Sequence, residues 1–212
     1  KLEGTAGQSL GVWNADGLNI ELTGDSNDYV GKGMAGGNII IKTPMSLKRL
    51  ASKMIIIGNT CLYGATGGKL FAEGIVGERF AVRNSGCTAV IEGSGDHTCE
   101  YMTGGSVIVL GETGNNFGAG MTGGLAFVYD KNNTFKDKIN QQSVEIGCLS
   151  NKEFSKHQNY LLKLLNEYYK KTSSIVAEDI INNYKKEIEN FVIVKPKASS
   201  YKELLTLITK VA

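Results

Sequence analysis

The sequence is poor in the residues from which catalytic and cross-linked sites are commonly built. It holds two histidines and no nucleophile elbow, so Ser-His-Asp chemistry has nothing to rest on. Its four cysteines, Cys61, Cys87, Cys99 and Cys148, form no Cys-x-x-Cys pair and no short even spacing, which excludes the disulfide framework of a small secreted domain. Reduced, buried thiols are expected. No apolar run approaches the roughly 20 residues that span a bilayer, and the first residues lack the charged-then-apolar order of a signal peptide. The pattern predicts an intracellular protein, in the cytoplasm or an organelle. A strong charge of one sign is also missing: residues 1–130 carry 9 basic and 12 acidic side chains, a net of −3, and residues 131–212 carry 14 and 9, a net of +5. Neither half has the electrostatic footprint of a nucleic-acid binder.

Glycine is nearly absent from one part of the chain and abundant in the other. Of 27 glycines, 26 precede residue 130, and only Gly147 follows it. Glycine is costly within helices and favoured where the backbone must take positive φ, so the first part is built from turns and strands and the second reads helical. Hydrophobic residues make up 42% of the chain, enough for a packed core.

A repeat organises the first part. GMAGGNIII (33–41), GATGGKLFA (64–72), YMTGGSVIV (101–109) and GMTGGLAFV (120–128) each place Gly-Gly before an apolar run. Counted from the second glycine, the markers are Gly37, Gly68, Gly105 and Gly124, with Gly86 of the weaker SGCTAVIEG between Gly68 and Gly105. Gly17 precedes Gly37 by 20 residues, Ser143 follows Gly124 by 19, and the 31-residue step from Gly37 to Gly68 places an insertion at Pro44 to Lys53. A period near 19 is too short for a two-helix repeat and lacks a Leu-rich consensus. It predicts a mainly β fold, a right-handed parallel β-helix of six or seven coils at about 4.8 Å spacing, on the order of 30 Å long. Glycine pairs would form a crowded corner. Ile39, Ile41, Leu70, Val107, Val109 and Phe127 would form the inner apolar ladders.

The division expected is 1–149 as the glycine-repeat β-helix and 150–212 as a helical tail packed on it. Ser150 and Glu153 have capping-box spacing and predict a helix start, with Phe154, Leu161, Leu164, Leu165 and Tyr168 at helical spacing to about Lys171. A second helix follows Ser174 with Ile180, Ile181, Tyr184 and Ile188. Phe191–Val194 is a short strand, and Ser200 with Glu203 caps a last helix through Lys210. These helices would cover an open end or side of the solenoid, where unpaired strand edges would otherwise be exposed.

Several motifs invite a chemical reading. Gly31–Gly36 and Gly118–Gly123 both satisfy G-x-G-x-x-G, but each runs into strand-type residues rather than a helix that would seat a phosphate, and both read as structural corners. Asp96, His97 and Cys99, with Cys87 one coil away, hold metal-type donors without a recognised ligand spacing. His157 lies among the packing residues of the first helix. A sugar-cleaving β-helix would need acidic residues in register, and Asp25 with Asp28, or Glu73 with Glu78 and Arg79, do not recur in that way.

Long segments carry a resemblance. GTAGQSLGVWNADGLNIELTGDSNDYVGKGMAGG (4–37), NTCLYGATGGKLFAEGIVGERFAVRNSG (59–86), GMTGGLAFVYD (120–130) and the closing FVIVKP (191–196) resemble the carboxy-terminal glycine-repeat domain of the glutamate synthase large chain. That family makes two glutamates from glutamine, 2-oxoglutarate and a reductant. The resemblance implies amidotransferase and FMN/3Fe-4S synthase domains upstream, in the same polypeptide, with an electron-donating subunit or domain as a further partner and neither nucleic acid nor membrane. It implies a structural role for this segment, with no catalytic, cofactor-binding or metal-binding residue carried over. A chain beginning at Lys1 is expected to be an excised part. The alternative reading is a glycine-repeat scaffold subunit of another redox complex, such as formylmethanofuran dehydrogenase. A polysaccharide-acting β-helix is a third.

Overall fold

The computed structural model describes residues 1–211. Ten strands form one sheet: β1 (Leu2–Thr5), β2 (Asn19–Asp25), β3 (Asn38–Lys42), β4 (Ile55–Ile57), β5 (Lys69–Val76), β6 (Ser85–Ser94), β7 (Thr103–Val109), β8 (Gly123–Tyr129), β9 (Val144–Cys148) and β10 (Phe191–Pro196). Their order is β1-β2-β3-β5-β6-β7-β8-β10-β9, with β4 beside β5. From β1 to β8 all pairing is parallel, and Asn19, Asn38, Lys69, Thr88, Ser106 and Leu125 stand in line, in steps of 19, 31, 19, 18 and 19 residues. This is a β-solenoid of about seven coils with the expected period. The long step contains a 3₁₀ helix at Met45–Lys53 followed by β4, which locates the insertion where Pro44 indicated it.

The strands are rich in Ile and Val, residues that fit a pleated, packed surface. Ile39, Leu70, Ala89, Val107 and Ala126 form one inner ladder, and Ile41, Ala72, Ile91, Val109 and Val128 another. The residues between them, Ile40, Phe71, Val90, Ile108 and Phe127, point outward and are equally buried. Phe127 was expected inside. It belongs instead to the outer face, opposite Ile108, because a one-residue step along a strand reverses the face.

A second ladder of backbone bonds joins the coils away from the sheet. In six coils three residues, each two apart, adopt φ between +52° and +71°: Ser9, Gly11 and Trp13; Tyr29, Gly31 and Gly33; Thr60, Leu62 and Gly64; Arg79, Ala81 and Arg83; His97, Cys99 and Tyr101; Asn116, Gly118 and Gly120. Alternating left-handed residues turn successive peptide groups in opposite directions along the solenoid axis. Tyr29 N and Gly33 N therefore donate to Asn59 O (3.0 Å) and Tyr63 O (2.8 Å) of one neighbouring coil, while Gly31 N donates to Leu10 O (2.9 Å) of the other. Leu62, Ala81 and Cys99, the middle members of their triads, enter the core. Left-handed backbone at a non-glycine residue costs about 1–3 kcal/mol, so the stacking bonds and core burial must over-determine these corners.

The glycine-pair corner is crowded by the backbone of the neighbouring coil. A Cβ at Gly37 would lie 2.2 Å from Leu18 O and 2.6 Å from Asn14 Nδ2, and one at Gly105 would lie 2.3 Å from Cys87 O and 3.0 Å from Asn84 Nδ2. In register, Leu18 stands opposite Gly37 and Cys87 opposite Gly68, so Gly17 and Gly86 lie one place earlier than the repeat suggested. Those two coils replace the glycine pair with an asparagine clamp. Asn84 donates to Cys87 O (2.9 Å) and accepts from the Cys87 amide (2.9 Å), and Asn14 donates to Leu18 O (3.1 Å) and Gly36 O (2.9 Å).

Helix α1 (Ser155–Thr172) lies on the outer sheet face, where Tyr160 meets Phe127 and Tyr168 meets Phe71 edge-on. Each large apolar side chain so buried is worth about 1.5–3 kcal/mol. The start at Ser150 does not occur: residues 152–154 form a 3₁₀ turn, neither start has a side-chain cap, and Leu149 N is held by Phe191 O (3.0 Å). Tied to β10, the chain cannot turn into a helix until it has left the sheet. Ser174 does cap α2 (Ile175–Asn182), accepting from Ala177 N at 3.1 Å. Asn183 breaks the second helix, and α3 (Tyr184–Glu187) is a separate turn. The last helix, α4 (Tyr201–Val211), begins behind Ser200, which accepts from Glu203 N at 3.2 Å. Strand β10 inserts antiparallel between β8 and β9, so the expected continuation from Gly124 to Ser143 does not pair directly with its predecessor.

Candidate functional site

A groove of about 960 Å³ runs along the glycine-pair corners. Its floor carries the hydroxyls of Thr66, Ser85, Thr103 and Thr122 beside bare glycine backbone, and Leu204, Leu207 and Ile208 of α4 form an apolar wall. Its charged groups are engaged: Lys69 Nζ holds both oxygens of Glu167 (2.8 and 2.9 Å), and Asp16 Oδ1 accepts from Gly37 N (3.2 Å). A hydroxyl needs an adjacent base to become a nucleophile. Among the described residues, no histidine lines the groove, and Asp16 is its one carboxylate.

A buried polar cluster lies under α1 and the insertion. Glu73 and Glu92, at corresponding places in β5 and β6, are 0% and 3% exposed. Lys48 Nζ from the insertion lies 2.6 Å from Glu73 Oε1 and 2.7 Å from Oε2, and it also donates to Thr172 O at the end of α1. Thr43 N donates to Glu73 Oε2 (3.0 Å). Glu92 Oε1 accepts from Tyr168 OH (3.0 Å) and Ser174 Oγ (2.5 Å), whereas its Oε2 has no partner. Among the described residues, Lys48 thus pairs with Glu73 alone, and Glu92 is held by two hydroxyls. Desolvation raises both glutamates above the usual carboxylate range, and the Glu73 charge lifts Glu92 further. The cluster does not border the groove. It clamps the insertion, α1 and α2 to the sheet. The sequence reading missed it, although Glu73 and Glu92 are 19 residues apart, each before a glycine, and so recur in register.

The other candidates separate. Cys87 and Cys99 are fully buried, and burial pushes both thiols far up; Cys61 is pushed up to about 12. Cys87 Sγ sits 3.9 Å from Met34 Sδ, His97 Nδ1 is 3.1 Å from Asn116 Nδ2, and Asp96 Oδ1 accepts from Asn115 N (2.6 Å). Among the described residues, no group of three metal-type donors converges. Asp28 accepts from Asn59 N (2.7 Å), as Asn59 does from Glu78 N (2.8 Å), so these side chains stitch coil to coil. His157 is buried with Nε2 3.0 Å from Tyr201 O, in a packing role. Both G-x-G-x-x-G stretches lead into strands, β3 and β8.

The alternating glycines of 29–33 and 116–120 are therefore a stacking device, and a family model described as "GXGXG motif" matches residues 1–197. The chain belongs to the GXGXG family. Within it, the chain is 49% identical over 205 residues to the ferredoxin-dependent glutamate synthase of Antithamnion sp., covering 97% of this chain and 13% of that protein. It is 47% identical to the NADH glutamate synthase of Schizosaccharomyces pombe, covering 95% of this chain and 9% of the relative. It is 45% identical to the NADPH glutamate synthase large chain of Bacillus subtilis, covering 97% and 13%. The chain thus spans about an eighth or less of these relatives. The relatives do not favour the formylmethanofuran-type alternative. No helix among the described residues is long and apolar enough to cross a membrane.

Proposed function

We propose that this chain is the structural β-solenoid domain of a cytoplasmic or organellar glutamate synthase, with residues 1–149 as the glycine-repeat stack and 150–212 as the segment that covers and closes it. The parent would convert glutamine, 2-oxoglutarate and reductant to two glutamates, with FMN and a 3Fe-4S cluster in other domains of the same polypeptide. The present segment would contribute alignment and no catalytic, cofactor-binding or metal-binding residue. The observation that carries this reading is the double ladder: neighbouring coils are bonded through the sheet and again through the left-handed triads. A stack bonded along two sides resists bending, and fixed separation matters when a reactive small molecule must pass between two centres without loss to water. The named relatives use ferredoxin, NADH or NADPH, yet match this chain at 45–49% identity. That similarity supports placing the electron-donor determinants elsewhere.

The test is a mild loosening of one coil in the full-length enzyme. Gly123→Ala is unsuitable, because its Cβ would lie 2.1 Å from Thr103 O, whereas Gly64→Ala, at φ +63°, has open space. With flavin content retained, Gly64→Ala should release ammonia in excess of glutamate formed. An unchanged ratio across several such folded variants would reduce the domain to a passive spacer.

A further inference from the structure

The insertion that breaks the repeat holds an exposed apolar surface through a buried ion pair. Within eleven residues, Met45, Leu47, Leu50, Met54 and Ile55 all stand exposed, Met45 at 83% and Ile55 at 68%. Leu47 and Leu50 are three apart in a 3₁₀ helix and so share one face. Helix α2, which packs beside the insertion, adds the half-exposed Ile175. Single exposed apolar residues are ordinary, but a cluster of this kind on a polar surface marks an interaction site. The segment is also anchored. Lys48 is drawn into the buried ion pair with Glu73, Thr43 bonds to the backbone and side chain of the same residue, and Ala51 is buried. An insertion tolerated only as a surface loop would need no such anchor.

Its charge points to the chemistry of what covers it. Residues 42–55 contain Lys42, Lys48, Arg49 and Lys53 and no acidic residue. Lys69, Lys138 and Lys195 elsewhere find carboxylates, but Arg49 and Lys53 form no ion pair among the described residues. Arg49 and Lys53, exposed within the apolar segment, fit an acidic protein surface with an apolar patch, while Asp25 and Asp28 border its Ile55 end. The available source is the remainder of the polypeptide, since the matched relatives extend far beyond this segment.

We propose that residues 43–55 are a docking key that seats on an acidic, apolar-centred surface of the same polypeptide outside residues 1–212. This rests on the scaffold reading and says which face makes the attachment.

The test uses full-length enzyme, prepared as a mixture of isotopically light and heavy polypeptides. A zero-length carbodiimide should link Lys53 to a carboxylate outside residues 1–212 in pairs of like isotope, and amide exchange should be slow over 45–55. Lys53→Glu and, separately, Met45→Asp should speed that exchange by about tenfold, the size expected for loss of one good interfacial contact. Both side chains are exposed, so neither variant burdens the core. Free exchange over 45–55, with other faces of this domain protected in the full-length enzyme, overturns the key and leaves the scaffold reading standing. No added protection anywhere in residues 1–212 overturns both. Links between light and heavy chains assign the face to a second copy instead. Co-sedimentation with phosphatidylserine vesicles, lost in Lys53→Glu, assigns it to a membrane surface and likewise overturns the proposal.

Discussion

Gly105→Ala and Gly64→Ala separate the two reasons this fold needs glycine. Both positions have left-handed backbone, φ +77° and +63°. An added Cβ at Gly64 meets nothing within 4 Å, whereas at Gly105 it lies 2.3 Å from Cys87 O, 2.9 Å from Gly86 C and 3.0 Å from Asn84 Nδ2. The first substitution therefore costs backbone strain alone, about 1 kcal/mol, near the low end for a single left-handed residue. The second adds overpacking against a neighbouring coil whose backbone is fixed by the sheet, a further 1–3 kcal/mol or so. For a chain of this size, each kcal/mol lowers the melting temperature by about 2–4 °C, so losses of about 2–4 °C and about 5–15 °C are expected. Thermal and urea melts followed by far-ultraviolet circular dichroism measure both. Thr23→Val, at a half-exposed strand position, is the control and should stay within about 0.5 kcal/mol of the parent. Lys69 would be a poor control, because its side chain pairs with Glu167. Equal destabilisation by the two alanines would refute the argument that coil-to-coil contact sets the requirement.

Two further outcomes follow from burial. The pKa of Glu92 is raised above its ordinary 4.5, so folding favours the protonated form: its stabilising effect is complete below about pH 4.5 and is lost as pH rises through the folded value. Glu92→Gln cannot titrate, and its stability relative to the parent should grow with pH across that window; a difference between the two that is flat from pH 4 to 8 would contradict the assignment. Cys61, Cys87 and Cys99 are buried with raised thiol pKa and Cys148 is exposed, so an aromatic disulfide reagent should label one thiol in native protein and four after denaturation. Rapid native labelling of more than one would show that the core opens.

Much of this architecture was legible because glycine pairs and the period of about 19 report a constraint that recurs in each coil. The insertion, the helix start behind Ser174 and the cap at Ser200 were legible for local reasons, each resting on a few neighbouring residues. The facing of Phe127 was not, since the strands are apolar on both sides and their alternation carries no phase. The left-handed triads were hidden where Leu62, Ala81 or Cys99 occupies a place that glycine holds elsewhere. There the inter-coil bonds, rather than local preference, set the backbone. Long-range pairing likewise displaced the helix start from Ser150 and drew β10 between β8 and β9. At the candidate site, Glu73 and Glu92 had a readable spacing, but the ammonium group that pairs with Glu73 comes from Lys48, outside the regular repeat.

The stack is tied on two sides, by the sheet and by the left-handed triads, and amide hydrogen exchange measures both ties. Leu62 N donates to Val30 O (2.8 Å), Ala81 N to Cys61 O (2.9 Å) and Cys99 N to Phe80 O (2.9 Å), all in segments that contain no strand. These three amides should exchange as slowly as those of Val90 and Ile108 in the central strands, opening only with the stack as a whole. Exchange orders of magnitude faster, at rates typical of surface turns, would contradict it and leave the sheet as the sole tie between coils.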